Sequence, residues 1–471
     1  MSDLPPAMNA MLASDGTLNK LVYKHQDVHD HLLGYYGAEH LDRIQRAQTT
    51  TQSLTCVRVN TIKTTREQLI NDLSQHFGSA SSQAEYTLEP SDIVPFQSLP
   101  GPNDKHYNND LQHKEQLDRI ANEVILLQNR GPFKRDPKYK QVVVGATCGE
   151  SVLRGSNIFA PGVIGSHKYI SKGEKVSVFV DLDGNGKHGF IVDDCYRERT
   201  VYIGNGVSLM DRADYFNIPN GVAIEMTERI YLCPPLNALL PDRLYLQHLP
   251  SVLTVFQLDL PQVPEQNMRV LDMCAAPGGK TTLIATLMGN KGTVLALDKN
   301  KKKQIIIHQL CQQLGITNVQ SRLMDSAKLI KEPRDPAFAN ESFDRVLLDG
   351  PCSGLGSRPR FIELNTLLDL KNAVDIQRRL IDNAVPLLKP GGVLVYSTCT
   401  INPEENECNV AYLLSRHPQM ELLPQYPHLG SGGLSNCGLT SEQCSLVQRV
   451  DPSDSLSTIG FFIAKFKKRV V

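Results

Sequence analysis

No run in this sequence is apolar for long enough to span a bilayer, and no N-terminal apolar segment reads as a secretory signal. The expectation is a cytoplasmic protein with no membrane partner, whose thiols stay reduced. The 11 cysteines are odd in number and scattered, with no pair of CxxC elements. A structural zinc site is therefore not expected, and no metal is assigned. Lys and Arg number 49 against 50 Asp and Glu, a formal net charge of -1. That balance excludes a strongly basic nucleic-acid glove as a whole-chain property but leaves room for a local basic patch. Tryptophan is absent, which excludes little. What remains is 41% apolar and 21% charged over 471 residues, a globular composition with too much chain for one ordinary core.

Residues 1 to about 45 read as amphipathic helix, as in "VHDHLLGYYGAEHLDRI". "TCVRVNTIKTTREQLINDL" reads as a short strand, a Thr or Asn start signal and a helix. A polar stretch follows, and "GPNDKHYNNDLQHKEQ" within it reads as a loop or insertion. From about Lys138 short apolar bursts alternate with Gly and Asn turns ("KQVVVGATCGESVLRGSNIFAPGVIG", "TVYIGNGVSLM"). This spacing predicts a small β-rich domain over 138–232 without helix-length crossovers. Residues 1–137 and 233–265 are then two parts of one N-terminal α/β module. From Gln266 the rhythm is repeated strand and helix: "MRVLDMCAA", "GTVLALD", "NVQSRLMD", "FDRVLLDG", "GVLVYSTCT" and a closing "IGFFIAKF". That rhythm predicts an α/β fold over 266–471, a doubly wound sheet with ligands at the carboxyl ends of its strands.

Four features fall at that edge. "DMCAAPGGKTT" follows the first strand with neither the GxGxxG nor the GxxxxGKT spacing. Its Gly278-Gly279 pair permits close approach of a ligand, and the helix start favours an anionic group; otherwise it is a tight turn with Lys280 solvated. Asp298 ends the second strand, where an acid holds the hydroxyls of a ribose or else caps a helix. Asp325 follows the third strand with the same two readings, the ligand one being an adenine amino group. Together they suggest an adenosyl cofactor, with NAD and S-adenosylmethionine both open. The fourth feature is a pair of cysteines, Cys352 after the fourth strand and Cys399 after the fifth, in loops leaving the same edge. Cys233, Cys311 and Cys408 read instead as small buried hydrophobes. The lysines of "KNKKKQ", beginning at Lys299, are a phosphate candidate or a solvated first turn.

In combination, "DMCAAPGGKT", "DGPCSGLG" and "STCTINPEENE" resemble the Nop/Sun family of RNA cytosine-5 methyltransferases over about 266–467. "TCVRVNT" resembles that family's N-terminal RNA-binding module, and "VLRGSNIFAPGVIG" with "TVYIGNG" resembles a PUA domain, a small β-barrel. The resemblance implies a Rossmann-like class I methyltransferase sheet with an inserted PUA domain. It also implies S-adenosyl-L-methionine as cofactor, and tRNA as partner through its acceptor stem and CCA end. The family branch with this insertion implies cytosine 72 as target, with mRNA as an alternative substrate and a non-catalytic RNA-binding scaffold as the rival class. No obligate protein partner is implied. Carried over by motif, Cys399 is the nucleophile, Cys352 assists product release and Asp349 contacts the target base. Cys274, Ala275, Ala276, Pro277, Gly278, Gly279 and Lys280, with Asp298, Asp325 and Asp349, bind the cofactor. Arg154, Lys187 and Asn205 hold the tRNA end. Two positions depart from the family pattern. Gly350 stands where an alanine is usual, and His188 where a second lysine is expected.

Overall fold

Alternation along five strands decides the C-terminal half. In the computed structural model, which describes residues 20–78, 86–99, 111–184, 186–192, 200–263, 265–329 and 336–470, Arg269–Asp272, Thr293–Asp298, Val319–Leu323, Phe343–Asp349 and Leu388–Thr398 form a parallel sheet. Side chains of a strand point alternately to opposite faces. Val270, Val294, Ala296, Leu347 and Val395 accordingly pack on one face against the helices Leu249–Phe256, Gly279–Leu287 and Lys301–Leu314. Leu271, Leu295, Leu297, Val346, Leu348 and Leu394 pack on the other against Leu367–Leu387 and Glu407–Arg416. Both faces are dry, which is why these strands read as continuous apolar runs.

The strand order places Arg269–Asp272 between Thr293–Asp298 and Phe343–Asp349, so the order reverses beside the first strand. Ligands in open α/β sheets sit outside the carboxyl ends at that point. Phe461–Lys468, the expected closing strand, joins antiparallel beyond Leu388–Thr398, a pairing the rhythm alone does not give.

Leu54–Val59 is the middle of a four-stranded sheet with Leu244–Leu246, Val124–Gln128 and Ile93–Val94. One face covers the helix Arg66–Gly78. The other is sealed by the doubly wound half, with Cys56 and Leu126 in one core with Leu253 and Phe256. Of "GPNDKHYNNDLQHKEQ", expected as a loop or insertion, residues 101–110 lie outside the described residues, but Leu111–Glu123 is a helix. The expected N-terminal helices are Gln26–Tyr36 and Ala38–Gln48. Their apolar stripes pack on Leu355, Leu370 and Ile401, beneath the two cysteine loops.

The β-rich insertion is a seven-stranded sheet ordered Ile158–Phe159, Val222–Arg229, Thr200–Ser208, Lys175–Asp181, Lys140–Val144, Val163–Ser166, Phe190–Ile191. It contains two short helices that spacing did not predict, Ala146–Leu153 and Arg212–Asn217. The first lets Lys140–Val144 pair parallel with Lys175–Asp181, an arrangement that needs a crossover. The chain enters and leaves this domain side by side. Phe133 N–H donates to the Ile230 carbonyl at 2.8 Å, and Arg130 bridges to Leu232.

Candidate active site

The first strand's loop stays tied to both neighbouring strands after the strand has ended. Met273 N–H donates to Leu347 O at 3.0 Å and Ala275 N–H to Leu297 O at 2.8 Å. The segment Cys274 to Lys280 is thereby stretched over the switch point. Gly278 has φ +108°, in the left-handed region that favours glycine. Gly279 opens the following helix, and a Cβ there would stand 3.0 Å from the Tyr245 ring. Asp272 is buried at the strand end; its Oδ2 accepts from Thr281 Oγ1 at 2.7 Å, and its Oδ1 has no partner. Burial pushes this carboxyl up to about 7. Cys274 is likewise pushed up by burial and stays a thiol.

Asp298 and Asp325 stand at the carboxyl ends of the next two strands, as the rhythm predicted. Asp298 accepts from Asn300 N–H at 2.8 Å, and Asn300, not Asp298, caps the helix that follows. Asp325 does cap a short turn, Ser326–Lys328, accepting from Ala327 N–H at 3.1 Å. The glycine cradle, the free oxygen of Asp272 and two carboxylates on successive strands fit an adenosyl ligand with a charged amino-acid tail.

Asp349 ends the fourth strand. Its carboxylate accepts from Ser397 Oγ at 2.6 Å and from Lys280 Nζ at 2.7 Å. Lys280, expected in the cofactor loop, is thus joined to the residue expected to meet the base. The two thiols converge, with Sγ of Cys352 3.2 Å from Sγ of Cys399. Cys399 is open to solvent at the mouth and Cys352 half-buried behind it. The hydrogen bond between them lowers Cys399 from its ordinary value and raises Cys352 well above its own. Cys399 is therefore the better thiolate, with Cys352 holding the proton.

What holds the sulfurs together is a residue that sequence reading passed over. Glu405 of "NPEEN" is fully buried. Its carboxylate accepts from Ser353 N–H (3.0 Å) and Ser353 Oγ (2.5 Å) in the Cys352 loop. It also accepts from Asn402 Nδ2 (3.0 Å) in the Cys399 loop and from Gln377 Nε2 (2.9 Å). An acid in an asparagine-rich loop after a strand was the available signal. Arg58 was also missed. Buried in an otherwise apolar strand, it donates to Gly279 O (2.5 Å), Thr282 Oγ1 (2.9 Å) and Gln247 Oε1 (3.1 Å).

The three RNA-contact expectations part company. Arg154 ends the helix Ala146–Leu153 and lines a cavity of about 460 Å³ shared with the cofactor loop, Lys280 and Asp349. Lys187 is exposed in a turn of the inserted sheet, away from that cavity's lining. Asn205 is a correction. It is 1% exposed; its Nδ2 donates to Asp136 O at 3.1 Å and Glu228 Oε2 at 2.7 Å, and its Oδ1 accepts from Ser177 Oγ at 2.8 Å. A side chain so engaged braces the chain entering the domain and has nothing left for RNA. Cys233 and Cys311 are buried as expected, whereas Cys408 is half-buried. His188 packs edge-on against Phe216. Lys301, Lys302 and Lys303 point outward as a solvated first turn. Gly350 leaves room for a methyl group, the nearest atoms being ordinary contacts at 3.6 Å.

Residues 260–467 match the family described as 16S rRNA methyltransferase RsmB/F. The chain is 38% identical to the tRNA (cytosine(72)-C(5))-methyltransferase NSUN6 of Mus musculus, over 88% of this chain and 87% of the relative. It is 32% identical to the rRNA (cytosine-C(5))-methyltransferase NOP2C of Arabidopsis thaliana, over 93% and 90%. The crystal structure of NSun6 from Pyrococcus horikoshii with SFG superposes with a TM-score of 0.73 at 30% identity, covering 96% of this chain and 99% of that one.

Proposed function

The chain belongs to the RsmB/F family of RNA cytosine-5 methyltransferases, and from that premise we propose that it methylates C5 of a cytosine in the acceptor stem of tRNA, at position 72, beside the CCA end. The observation that carries this reading is the 3.2 Å approach of Cys352 and Cys399, next to a carboxylate and a glycine-rich cradle. S-adenosyl-L-methionine, held by Cys274 to Lys280 with Asp298 and Asp325, supplies the methyl group on a positively charged sulfur.

Cytosine C5 is a weak nucleophile. The Cys399 thiolate adds to C6 and converts the ring to an enamine, which makes C5 nucleophilic. Cys352 lowers the cost of that thiolate by donating a hydrogen bond to it. Negative charge then builds on the ring. Asp349, aimed by Ser397 and paired with Lys280, orients the base by sharing one proton with N3, which stays on N3 as C6 is attacked and so offsets the charge, with the nearby ammonium adding to that effect. After transfer the C5 proton must leave. Cys352, once its own proton has passed to solvent, takes the C5 proton as thiolate or through a water, and the electron pair of the broken C5–H bond re-forms the ring double bond as the C6–S bond breaks and returns the Cys399 thiolate. The target base must leave its stack to reach these groups, and an acceptor-end pair has few neighbours to break.

The inserted domain is read as a PUA domain that holds the single-stranded CCA end, with Arg154 at its inner edge. Among the described residues no helix is long and apolar enough to cross a membrane. The test is Cys352→Ala incubated with tRNA and cofactor, then run on a denaturing gel. A covalent protein–RNA band is expected, and none from Cys399→Ala. A folded, tRNA-binding Cys352→Ala variant that gives no band refutes the mechanism. The Arabidopsis relative carries a second reading, rRNA as substrate. Bisulfite sequencing of total RNA with and without the protein separates tRNA, rRNA and mRNA targets.

A further inference from the structure

The cavity beside the cofactor loop has a second wall, of which the reading above uses only Arg154. That wall is assembled from three separate parts of the chain: Gln52 before the first strand of the N-terminal module, Arg154 and Gly155 from the inserted domain, and His248 from the returning segment. His248 is open to the cavity although it lies deep in the molecule. Its Nδ1 is 3.2 Å from Gln52 Nε2. Gln52 Nε2 also faces the Arg358 carbonyl at 3.4 Å, which orients the amide with its nitrogen toward both acceptors. An amide nitrogen only donates, so Nδ1 accepts and the neutral ring carries its proton on Nε2. The ring is neutral because burial, reinforced by Arg154 and Lys280, pulls it down to about 4.

Arg154 has one side-chain hydrogen bond, from Nη2 to Ser151 Oγ at 3.3 Å. Among the described residues its other donors have no partner. The acids that line this cavity, Asp272 and Asp349, both belong to the cofactor wall, and Asp349 is paired with Lys280. One wall therefore presents a guanidinium, whose charge Glu150 partly offsets from outside the cavity, and a fixed neutral N–H, with no carboxylate of this wall lining the cavity. That is the donor set for a singly charged oxyanion diester: the cation offsets its charge and the neutral donor fixes its direction.

We propose that this wall seats the phosphodiester that joins the flipped cytosine to its neighbouring nucleotide. His248 Nε2–H donates to one phosphate oxygen and Arg154 offsets the charge. The proposal rests on the RNA methyltransferase reading and names where that site takes hold of the backbone. Turning a nucleotide out of a stack rotates it about its flanking linkages, so a linkage gripped at the cavity wall would hold the base over Cys399.

The experiment uses the full chain and tRNA. RNA affinity is read by fluorescence anisotropy, methyl transfer by steady-state kinetics, and cofactor affinity by calorimetry. His248→Ala is expected to raise the KM for tRNA about tenfold, the loss of one hydrogen bond to a charged group, and to leave cofactor affinity unchanged. His248→Gln, which keeps an N–H donor, recovers most of that loss. A tRNA with an uncharged methylphosphonate at the linkage on one side of the target, and a second with it on the other side, are then compared. Wild type loses affinity for one of the two, and His248→Ala loses nothing further on the same RNA. The proposal is overturned by a His248→Ala variant whose tRNA affinity and KM are unchanged, by one that weakens cofactor binding instead, or by a wild type indifferent to both neutral linkages. Because anisotropy needs no turnover, a wild type that binds tRNA but transfers no methyl group strikes at the enzyme reading and not at this one.

Discussion

Two sulfurs 3.2 Å apart cannot both carry charge cheaply, so one keeps its proton and stabilises the other. Their order follows from surroundings: Cys399 faces the opening, and Cys352 lies behind it, near the Glu405 carboxylate. Removing the donor in Cys352→Ala leaves the Cys399 thiolate unsupported, so its pKa rises. The pH at half-maximal alkylation of Cys399 by iodoacetamide should move upward in that variant. Asp272 tests burial in the same way. Burial pushes its carboxyl up to about 7 in the folded chain against an ordinary 3.8. The folded state therefore holds more protons between those two values, and stability falls as pH rises through that window. Without cofactor, the thermal midpoint should decline from pH 5 to 7, and Asp272→Asn should flatten the decline. Glycines of the "DGPCSGLG" loop divide by space. A Cβ on Gly356 would meet Gly460 O at 2.0 Å, so Gly356→Ala should cost about 2 kcal/mol or more by urea unfolding. Gly350→Ala meets no such obstacle and should be neutral or stabilise by about 0.5 kcal/mol.

At the scale of elements, the helix Gly279–Leu287 is aimed from another sheet. Arg58 reaches from Leu54–Val59 to the carbonyl of Gly279 and the hydroxyl of Thr282, and its guanidinium lies 4.8 Å from the Tyr245 ring centroid. The first turn of the helix, and with it the loop Cys274 to Lys280, is pinned to the N-terminal sheet. Arg58→Ala leaves a carbonyl and a hydroxyl buried with fewer partners, a loss of about 3 kcal/mol in urea unfolding. It should also weaken cofactor binding in calorimetry. Arg58→Lys should not rescue either quantity, because a point ammonium cannot serve three acceptors in one plane and stack on a ring. The two cysteine loops are joined on the same principle by Glu405, a carboxylate whose donors come from both.

For the whole molecule, the paired entry and exit of the inserted domain make it a removable body, held beyond them by Val22 and Ile362, by Thr51 Oγ1 donating to the Leu153 carbonyl, and above all by Phe361. Phe361, from the segment after the Cys352 loop, sits in the inserted domain's core. Joining the chain directly between Pro132 and Tyr231 should therefore leave a folded protein with lowered thermal midpoint, as Phe361 is uncovered. Cofactor affinity should stay within about twofold of the full chain, since the sheet edge is untouched. Methylation of tRNA should fall by about a hundredfold or more, as Arg154 and the inserted domain's grip are lost. Retention of full activity would show that the insertion does not hold the substrate.

The doubly wound half was legible because its strands are buried on both faces and its loops carry their chemistry in short contiguous motifs. Both cysteines, Asp349 and the glycine cradle follow from that rhythm, since parallel strands send successive loops to one edge. Arg58, Glu405 and His248 were not legible. Each acts on groups far away in the chain, and a buried hydrogen bond leaves no period in the sequence. Asn205 failed for the converse reason: a polar residue beside a glycine in a strand looks the same whether it faces RNA or a neighbouring carbonyl. Local pattern thus determined the sheet and the kinds of reacting groups at its edge. Only the packing of three sheets around one cavity decided which polar side chains are spent on holding the protein together and which are left to hold a substrate.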